Sequence, residues 1–268
     1  YLTFNSHIAT AEKGLIDAIN QLKLANNGTG ISDLVLDLRY NGGGYLALAA
    51  ELGFMIAGEA NTQGKIFEQT SFNDKNPFGL TAAETQTPFY KTAVGFSVAK
   101  GTPLPQLGLK RVFILSGHNT CSASEAIING LRGAGIEVVL IGDTTCGKPY
   151  GFYAQDNCST TYFAIQFKGV NNQGFGDYAD GFIPGGTGST ADNVPGCNVV
   201  DDLSQQLGDP AEARLAAALQ YRATGKCTSS ASSLARSVAN RGLLYGANGL
   251  LAPSPLSAMR LLGKPGQR

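Results

Sequence analysis

Residues 111–141 read RVFILSGHNTCSASEAIINGLRGAGIEVVLI, and this stretch decides the fold. The apolar runs at its two ends, residues 111–115 and 137–141, predict buried strands. Residues 122–132 between them predict a helix. Because a strand, a helix and a strand in this order are typical of parallel pairing, the sequence indicates an α/β fold with a parallel sheet.

The residues before this stretch predict a further strand and two helices. Residues 34–38, LVLDL, are too short for a helix and lead into the glycine triplet at 42–44, so they predict a buried strand that ends in a turn. Residues 10–24 carry apolar side chains on one helical face, and residues 47–57 are helical in composition. Four prolines within residues 61–108 favour loops and short strands there.

The residues after this stretch predict a strand and a well-marked helix. Residues 162–170 predict one long strand. The run DPAE at residues 209–212 predicts a helix start, since it offers a capping aspartate, a proline at the first helical position and a glutamate that closes a capping box. We expect this helix to end near Gly225.

Residues 228–268 differ from the rest in composition, because they contain five basic residues and no acidic one. We predict a short helix there, with Leu234 and Val238 on one face, and then an extended arm interrupted by prolines. The sequence therefore predicts two parts: a core domain over residues 1–227 and a basic C-terminal tail over residues 228–268.

Composition excludes several classes of protein. With 268 residues, 43% hydrophobic and 15% charged, the chain has enough apolar surface for one large or two small domains and is not disordered as a whole. Its 20 basic and 20 acidic residues give zero net charge, which does not favour nucleic acid or an anionic membrane as a partner. No apolar run approaches the roughly 20 residues that span a bilayer, so we expect a soluble chain.

The first residues suggest that the chain is part of a longer one. It begins at Tyr1, without methionine and inside what looks like a strand, so we expect that upstream residues have been removed. The lack of an export signal in the given sequence is therefore no argument against export.

The five cysteines are Cys121, Cys146, Cys158, Cys197 and Cys227. They form no CxxC pair and have no histidine nearby, so we expect no metal. One arrangement pairs Cys146 with Cys158 and Cys197 with Cys227; other pairings, and five buried thiols in a cytosolic protein, remain open. We favour an exported, oxidising compartment.

Three features together indicate an acyl-transfer enzyme: Ser122, Lys148 and the glycine triplet. A serine hydroxyl is a weak nucleophile unless a base takes its proton, and a lysine does so only when burial lowers its pKa. Ser122 precedes a helix whose N-terminal N–H groups favour a developing oxyanion, with Ala123 N–H as the first donor. A second donor is expected from Gly43 or Gly44, since residues without a Cβ approach a substrate closely.

Each feature also has a structural explanation. The run Ser122-Ala123-Ser124-Glu125 is a capping box, a glycine triplet after a strand is usually a tight turn, and a lysine in a loop is usually a solvated charge. Only the joint occurrence of the three favours catalysis.

Three runs, LDLRYNGGG at 36–44, SASE at 122–125 and GDTTCGK at 142–148, resemble the tail-specific, or C-terminal processing, serine peptidase family in order and spacing. The resemblance covers residues 1–184. It implies a crotonase-like α/β core, Ser122 as the nucleophile, Lys148 as the general base, and Ala123 with Gly43 or Gly44 as the oxyanion donors. It implies a polypeptide substrate cut near its C-terminus and no cofactor.

The chain departs from the family pattern after the lysine. Many members have a glycine next and, four residues after the lysine, a glutamine that orients it; this chain has Pro149 and Phe152, so we expect Gln155 or Tyr150 to support Lys148. Members usually carry a PDZ domain before the core, and we expect this chain to start after the point where that domain would end. His118 is expected to be a loop or core residue.

We therefore expect a serine endopeptidase of a bacterial periplasm or outer envelope surface. Two alternatives stay open: a peptide-binding relative without catalysis, and an acyl-CoA enzyme of crotonase type.

Overall fold

The computed structural model describes residues 1–227 except 77, 154 and 187–189, and the backbone of residues 244–246, 249–251 and 260–261. Within these residues, no helix combines the length and the apolar character that crossing a membrane requires.

A parallel sheet of five strands forms the centre of the fold, in the order β1-β2-β6-β7-β14. Its members are β1 (Leu2–Thr3), β2 (Val35–Asp37), β6 (Arg111–Ser116), β7 (Glu137–Gly142) and β14 (Gly196–Asn198). Every neighbouring pair runs parallel, and Arg111 to Ser116 pair in register with Glu137 to Gly142. The predicted α/β fold with a parallel sheet is therefore confirmed.

Helices cover both faces of this sheet. They are α1 (Ala11–Leu24), α2 (Leu46–Ala57), the single turn α3 (Glu59–Thr62), α4 (Ala123–Gly133) and α5 (Ala213–Thr224). The strands alternate between the two faces: Val112 and Ile114 point into the core with α1, α2 and α4, whereas Phe113 and Leu115 pack with α5. A strand buried on both faces needs an unbroken apolar run, which is what β6 and β7 have.

A second sheet packs beside α4. It is antiparallel, in the order β5-β4-β11-β8, with β4 (Ile66–Phe72), β5 (Gln86–Pro88), β8 (Tyr150–Gly151) and β11 (Phe167–Val170). Four short pairs complete the described strands. They are β3 (Gly44–Tyr45) with β17 (Arg260–Leu261), β9 (Gln155–Asn157) with β10 (Thr160–Tyr162), β12 (Ile183–Pro184) with β13 (Asn193–Val194), and β15 (Leu244–Gly246) with β16 (Gly249–Leu251).

Two predicted elements differ from the structure. The long strand over residues 162–170 is wrong, because β10 ends an exposed hairpin and β11 belongs to the second sheet. The last helix begins at Ala213 rather than next to Asp209, because the carboxylate of Glu212 accepts the N–H groups of Arg214 and Leu215 and caps the helix itself. Its predicted end is confirmed, with Gly225 in the left-handed conformation at the C-cap.

The tail prediction is only partly within the described residues. The helix predicted around Leu234 and Val238 lies outside them. Of the predicted arm, Arg260–Leu261 runs parallel to Gly44–Tyr45.

Arg39 joins the C-terminal end of β2 to the start of α5. Its buried guanidinium donates to Asp37 at 3.1 Å, to Glu212 at 2.9 and 3.0 Å, and to Asp201 at 2.8 Å. Burial alone lowers the pKa of Arg39, but Glu212 and Asp37 outweigh it and hold the pKa above its ordinary value. A charge buried with its partners is costly to separate, so this cluster fixes the loop between β2 and the glycine triplet.

Arg39→Met is expected to lower the free energy of unfolding by about 3–5 kcal/mol, because it leaves the carboxylates of Asp37 and Glu212 buried without their partner. Urea denaturation measures the loss. The matched control is Arg222→Met, since Arg222 is half exposed and pairs with Asp33 at 2.8 Å; we expect it to cost at most ~1 kcal/mol. Equal losses in the two variants would contradict this account of the cluster.

Candidate active site

Ser122 lies immediately before α4 in a strained backbone conformation, with φ 59° and ψ −113°. A positive φ is unusual for a residue with a side chain, and such strain persists where the surroundings enforce it, often at functional sites. The residue is fully buried, and its Oγ has no hydrogen-bond partner among the described residues. The arrangement of the predicted capping box is present: the N–H of Ser122 donates to Glu125 at 2.9 Å, and the Ser122 side chain faces the N–H of Glu125 without forming a full hydrogen bond.

Glu125 connects the serine turn to the lysine loop. Its Oε2 accepts the N–H groups of Ser122 and Lys148, each at 2.9 Å, and its Oε1 accepts the N–H of Gly147 at 2.8 Å and the hydroxyl of Thr145 at 2.6 Å. Burial raises the pKa of Glu125, and these four donors oppose the rise. One carboxyl group thus binds both segments that carry the predicted nucleophile and base.

Lys148 lies in the loop between β7 and β8 and is half-buried. Burial lowers the pKa of its ammonium group, and the nearby charge of Glu125 opposes this. The Nζ atom lies 5.1 Å from the centroid of the Phe152 ring, within cation–π range. Phe152 therefore contacts the lysine from the position where many family members have glutamine, whereas Gln155 lies on the exposed strand β9.

The glycine triplet lies directly against the serine turn. A Cβ at Gly43 would come within 2.8 Å of the carbonyl oxygen of Cys121 and 2.9 Å of the nitrogen of Ala123, and its φ of 100° also favours glycine. Gly43, Ser122 and Ala123, all predicted from sequence, are therefore brought together. The N–H of Gly43 donates to Asn41 Oδ1 at 3.0 Å.

His7 lies behind this loop and was not predicted to be part of the site. Its backbone N–H donates to the carbonyl of Gly43 at 3.1 Å, its carbonyl accepts the N–H of Tyr45 at 2.9 Å, and its Nδ1 lies 3.1 Å from Asn41 Oδ1. Burial lowers the pKa of His7 to about 4, which keeps the ring neutral at ordinary pH. The Asn-Gly-Gly-Gly run identified the loop in the sequence. No local pattern indicated that His7, 34 positions before Asn41, would contact it.

His118 and the cysteines, which the sequence also singled out, lie as follows. His118 is a loop residue whose Nε2 lies 2.9 Å from Asp143. The predicted Cys197–Cys227 disulfide is present, but Cys146 pairs with Cys121 rather than with Cys158. The Cys146–Cys158 pairing was wrong because Cys158 lies exposed at the turn of the β9–β10 hairpin, whereas Cys121 and Cys146 lie in the loops that follow β6 and β7.

Only one group of metal-capable side chains occurs among the described residues: Cys121, Glu125 and Cys146. Its two sulfur atoms are joined in the disulfide, so they are not thiolate ligands.

Two buried glutamates hold a loop that contacts Tyr45, the residue after the glycine triplet. Glu12 accepts the N–H groups of Gly95, Ser97 and Val98. Glu51, on α2, accepts the N–H of Val94 at 2.7 Å. Within this loop the Phe96 ring packs on Tyr45, with 4.6 Å between ring centroids.

Glu51 is expected to make the protein less stable as the pH rises. Burial raises its pKa from 4.5 to about 8, so the folded state keeps this proton after the unfolded state has lost it. The unfolding free energy should therefore fall between about pH 4.5 and pH 8, by on the order of a few kcal/mol. Urea denaturation across this range should show a flatter profile in Glu51→Gln; Glu59→Gln, on the surface, is the control and should keep the wild-type slope.

The sequence profile of peptidase family S41 matches residues 1–153. The match covers more than half of the chain, which therefore belongs to peptidase family S41. This confirms the resemblance to C-terminal processing serine peptidases. No curated protein matches the chain in sequence.

One solved structure shares the fold, and two others are similar to the chain to a lesser degree. A structure from Bacteroides fragilis described as an S41 protease is 23% identical, with a TM-score of 0.63, over 83% of this chain and 54% of that one. The photosystem II D1 C-terminal processing protease is 16% identical, with a TM-score of 0.49, over 74% of this chain and 42% of that one. A lipoprotein from Streptococcus agalactiae is 16% identical, with a TM-score of 0.46, over 70% and 61% of the two chains. The chain thus spans about half the length of these proteins.

Proposed function

We propose that this chain is a serine endopeptidase that hydrolyses polypeptides through an acyl-enzyme on Ser122, with Lys148 as the general base. The observation that carries the proposal is the shared carboxyl group of Glu125, which binds the N–H of both residues. Sequence alone placed these residues 26 positions apart, whereas the shared contact makes them neighbours. The lowered pKa of Lys148 supports the base role, because only a neutral amine accepts a proton.

The reaction would proceed in two proton-balanced steps. Lys148 takes the proton of Ser122 Oγ as the oxygen attacks the scissile carbonyl carbon, and then gives it to the leaving amine. Lys148 next takes a proton from water, whose oxygen attacks the acyl carbon; the proton passes to Ser122 Oγ as the carboxylic acid is released, and the acid then ionises in water. Ser122 Oγ makes no hydrogen bond to the described residues, so none of them competes with a base for its proton.

Backbone N–H groups would stabilise the tetrahedral oxyanion. Ala123 N–H, at the start of α4, is the first donor. We favour Gly44 over Gly43 as the second, because Gly43 N–H already donates to Asn41. Gly43 would serve chiefly by having no Cβ where the loop approaches the serine.

Gly43→Ala is expected to lower kcat/KM by roughly 10²–10³-fold, because a displaced loop would carry the N–H of Gly44, the proposed second oxyanion donor, away from the serine. The added methyl group would lie within 2.9 Å of the Ala123 nitrogen and displace the loop from the serine. Hydrolysis of an unfolded polypeptide measures the change. Gly64→Ala, with the same sign of φ and open space around it, controls for backbone strain; an equal loss in that variant would contradict the role of Gly43.

Further features of the proposal rest on the family resemblance and on composition. They are a crotonase-like core, cleavage near the C-termini of polypeptides, a catalytic domain over residues 1–227 with a C-terminal tail over 228–268, and a location in a bacterial periplasm or at the outer envelope. The two disulfides support an oxidising compartment.

Labelling with a fluorophosphonate probe, followed by peptide mapping, tests the proposal directly. We expect one adduct, on Ser122, whose formation rate falls sharply in Lys148→Ala. No adduct on Ser122, together with retained binding of peptides, would instead establish a peptide-binding relative without catalysis.

A further inference from the structure

The disulfide between Cys121 and Cys146 joins the two segments that carry the proposed catalytic pair. Cys121 immediately precedes Ser122, and Cys146 lies two residues before Lys148. The two Cα atoms are 5.2 Å apart, and the bond encloses α4 and β7. We propose that this disulfide is a positioning element: it holds the Lys148 loop on the Ser122 turn, and activity requires it to be oxidised. The inference rests on the proposed function for its catalytic readout.

The backbone around the two cysteines shows what the disulfide holds. Cys121 N–H donates to the carbonyl of Asn41 at 3.1 Å, which places it on the glycine loop. Cys146 N–H donates to the carbonyl of Thr120 at 3.0 Å, so the lysine loop lies on the residue before Cys121. The disulfide thus lies where the glycine loop, the serine turn and the lysine loop meet.

This part of the lysine loop has no sheet or helix of its own. Residues 143–149 lie between β7 and β8 and include Gly147, whose φ is 80°. Close to Ser122, the loop is held by the donors to Glu125, by the Cys146 N–H and by the disulfide; further hydrogen bonds join Asp143 to Ser116, Thr145 to Phe182 and Pro149 to Gly169. Opening the disulfide removes the only covalent link in this set.

Reduction would also change the surroundings of Glu125. The sulfur atoms of Cys121 and Cys146 both lie within 4.8 Å of a carboxylate oxygen of Glu125. In the disulfide these atoms have no proton to donate, whereas two thiols do. Each S–H would compete for the carboxylate with the N–H groups of Gly147 and Lys148, and so loosen the position of the base.

The bond is accessible to a thiol from one side. Cys121 is buried, whereas Cys146 is exposed. A thiolate of a dithiol such as dithiothreitol would attack Cys146 Sγ and expel Cys121 as a thiolate, forming a mixed disulfide. The second thiol of the reagent then closes its own disulfide and releases Cys146, so that two protein thiols form and one dithiol is oxidised.

A structural role alone is the competing explanation, because any disulfide stabilises the folded state. The chain contains a matched control. Cys197–Cys227 spans 30 residues against 25 for Cys121–Cys146, so the two bonds constrain the unfolded chain similarly. It links β14 to the residues after α5, and Cys197 packs on the α5 face of the sheet with Phe113 and Leu115, whereas α4, which follows Ser122, packs on the opposite face.

The experiment compares Cys121→Ser/Cys146→Ser with Cys197→Ser/Cys227→Ser, both in a Cys158→Ser background that prevents exchange with the exposed thiol. Two readouts are followed beside the thermal midpoint: the fluorophosphonate labelling rate of Ser122 as a function of pH, and hydrogen exchange of the Gly147 and Lys148 amides. If a double variant does not fold, the Cys158→Ser protein is reduced stepwise, and mass spectrometry identifies the bond that opens.

We expect both double variants to lose thermal stability. Only the Cys121→Ser/Cys146→Ser variant should also label on the order of 10²-fold more slowly, as a misplaced base would cause, and reach half-maximal labelling at a higher pH. Its Gly147 and Lys148 amides should exchange roughly tenfold faster or more. Unchanged exchange at these two amides, or equal losses of labelling in both variants, would overturn the inference. If the wild type is not labelled at all, the proposed function fails, and the exchange result still decides whether the disulfide positions the loop.

Discussion

Ser122→Ala is expected to abolish peptide hydrolysis, with a loss in kcat of roughly 10⁴-fold or more, while the protein stays folded. The nucleophile cannot be replaced by water held elsewhere in the site, since the oxygen that forms the acyl-enzyme is gone. Hydrolysis of an unfolded polypeptide and fluorophosphonate labelling both measure the loss. Ser204→Ala, in an exposed loop, is the control and should keep wild-type activity.

The same variant separates catalysis from helix capping. A serine that caps a helix stabilises it by about 1 kcal/mol through a hydrogen bond from its side chain. Because Ser122 Oγ has no such partner among the residues described, Ser122→Ala should leave the unfolding free energy nearly unchanged. Ser122→Gly should raise the unfolding free energy by about 1 kcal/mol, since glycine adopts the positive φ without strain. A clear loss of stability in Ser122→Ala together with full activity would establish the cap and contradict the nucleophile.

Lys148 is expected to be the second residue whose replacement removes turnover. Lys148→Met keeps the apolar stem but has no amine to accept the proton, so kcat should fall by roughly 10²–10⁴-fold, the contribution of a general base. Lys148→Arg should be as inactive as Lys148→Met, because a guanidinium keeps its charge at every accessible pH. Lys91→Met, at an exposed ion pair with Glu59, serves as the control.

The activity of the wild-type protein should change with pH in a direction that can be measured. The neutral amine is the active form, and burial lowers the pKa of Lys148 below its ordinary value of 10.5. Activity should therefore rise with pH to a plateau, with its half-maximal point below 10.5. Retained activity in Lys148→Arg would exclude Lys148 as the base. So would a rate of hydrolysis that does not change as the pH is raised toward 10.5.

The sequence was sufficient for the elements whose pattern is local. The unbroken apolar runs of β6 and β7 and the periodic face of α1 predicted these elements to within about a residue, because burial of the strands on both faces leaves little choice of residue type. The prediction of one strand over residues 162–170 failed, because an exposed hairpin and a sheet strand follow one another there with no break in composition.

In the candidate site, too, local motifs were predicted from the sequence and long-range contacts were not. Ser122, Lys148 and the glycines were predicted from short motifs, whereas the second role of Glu125 depends on contacts to residues 22 and 23 positions later. The cysteine pairing was missed for the same reason: adjacency at a hairpin suggested Cys158, whereas the partner of Cys146 is set by how the loops after β6 and β7 meet.

The pairing of Arg260–Leu261 with Gly44–Tyr45 affects how shortened forms of the protein should be interpreted. A chain that stops before residue 260 loses a strand from the edge of the glycine loop, and so changes the surroundings of the site as well as the length of the protein. Truncation at residue 227 is therefore not a neutral way to isolate a minimal peptidase.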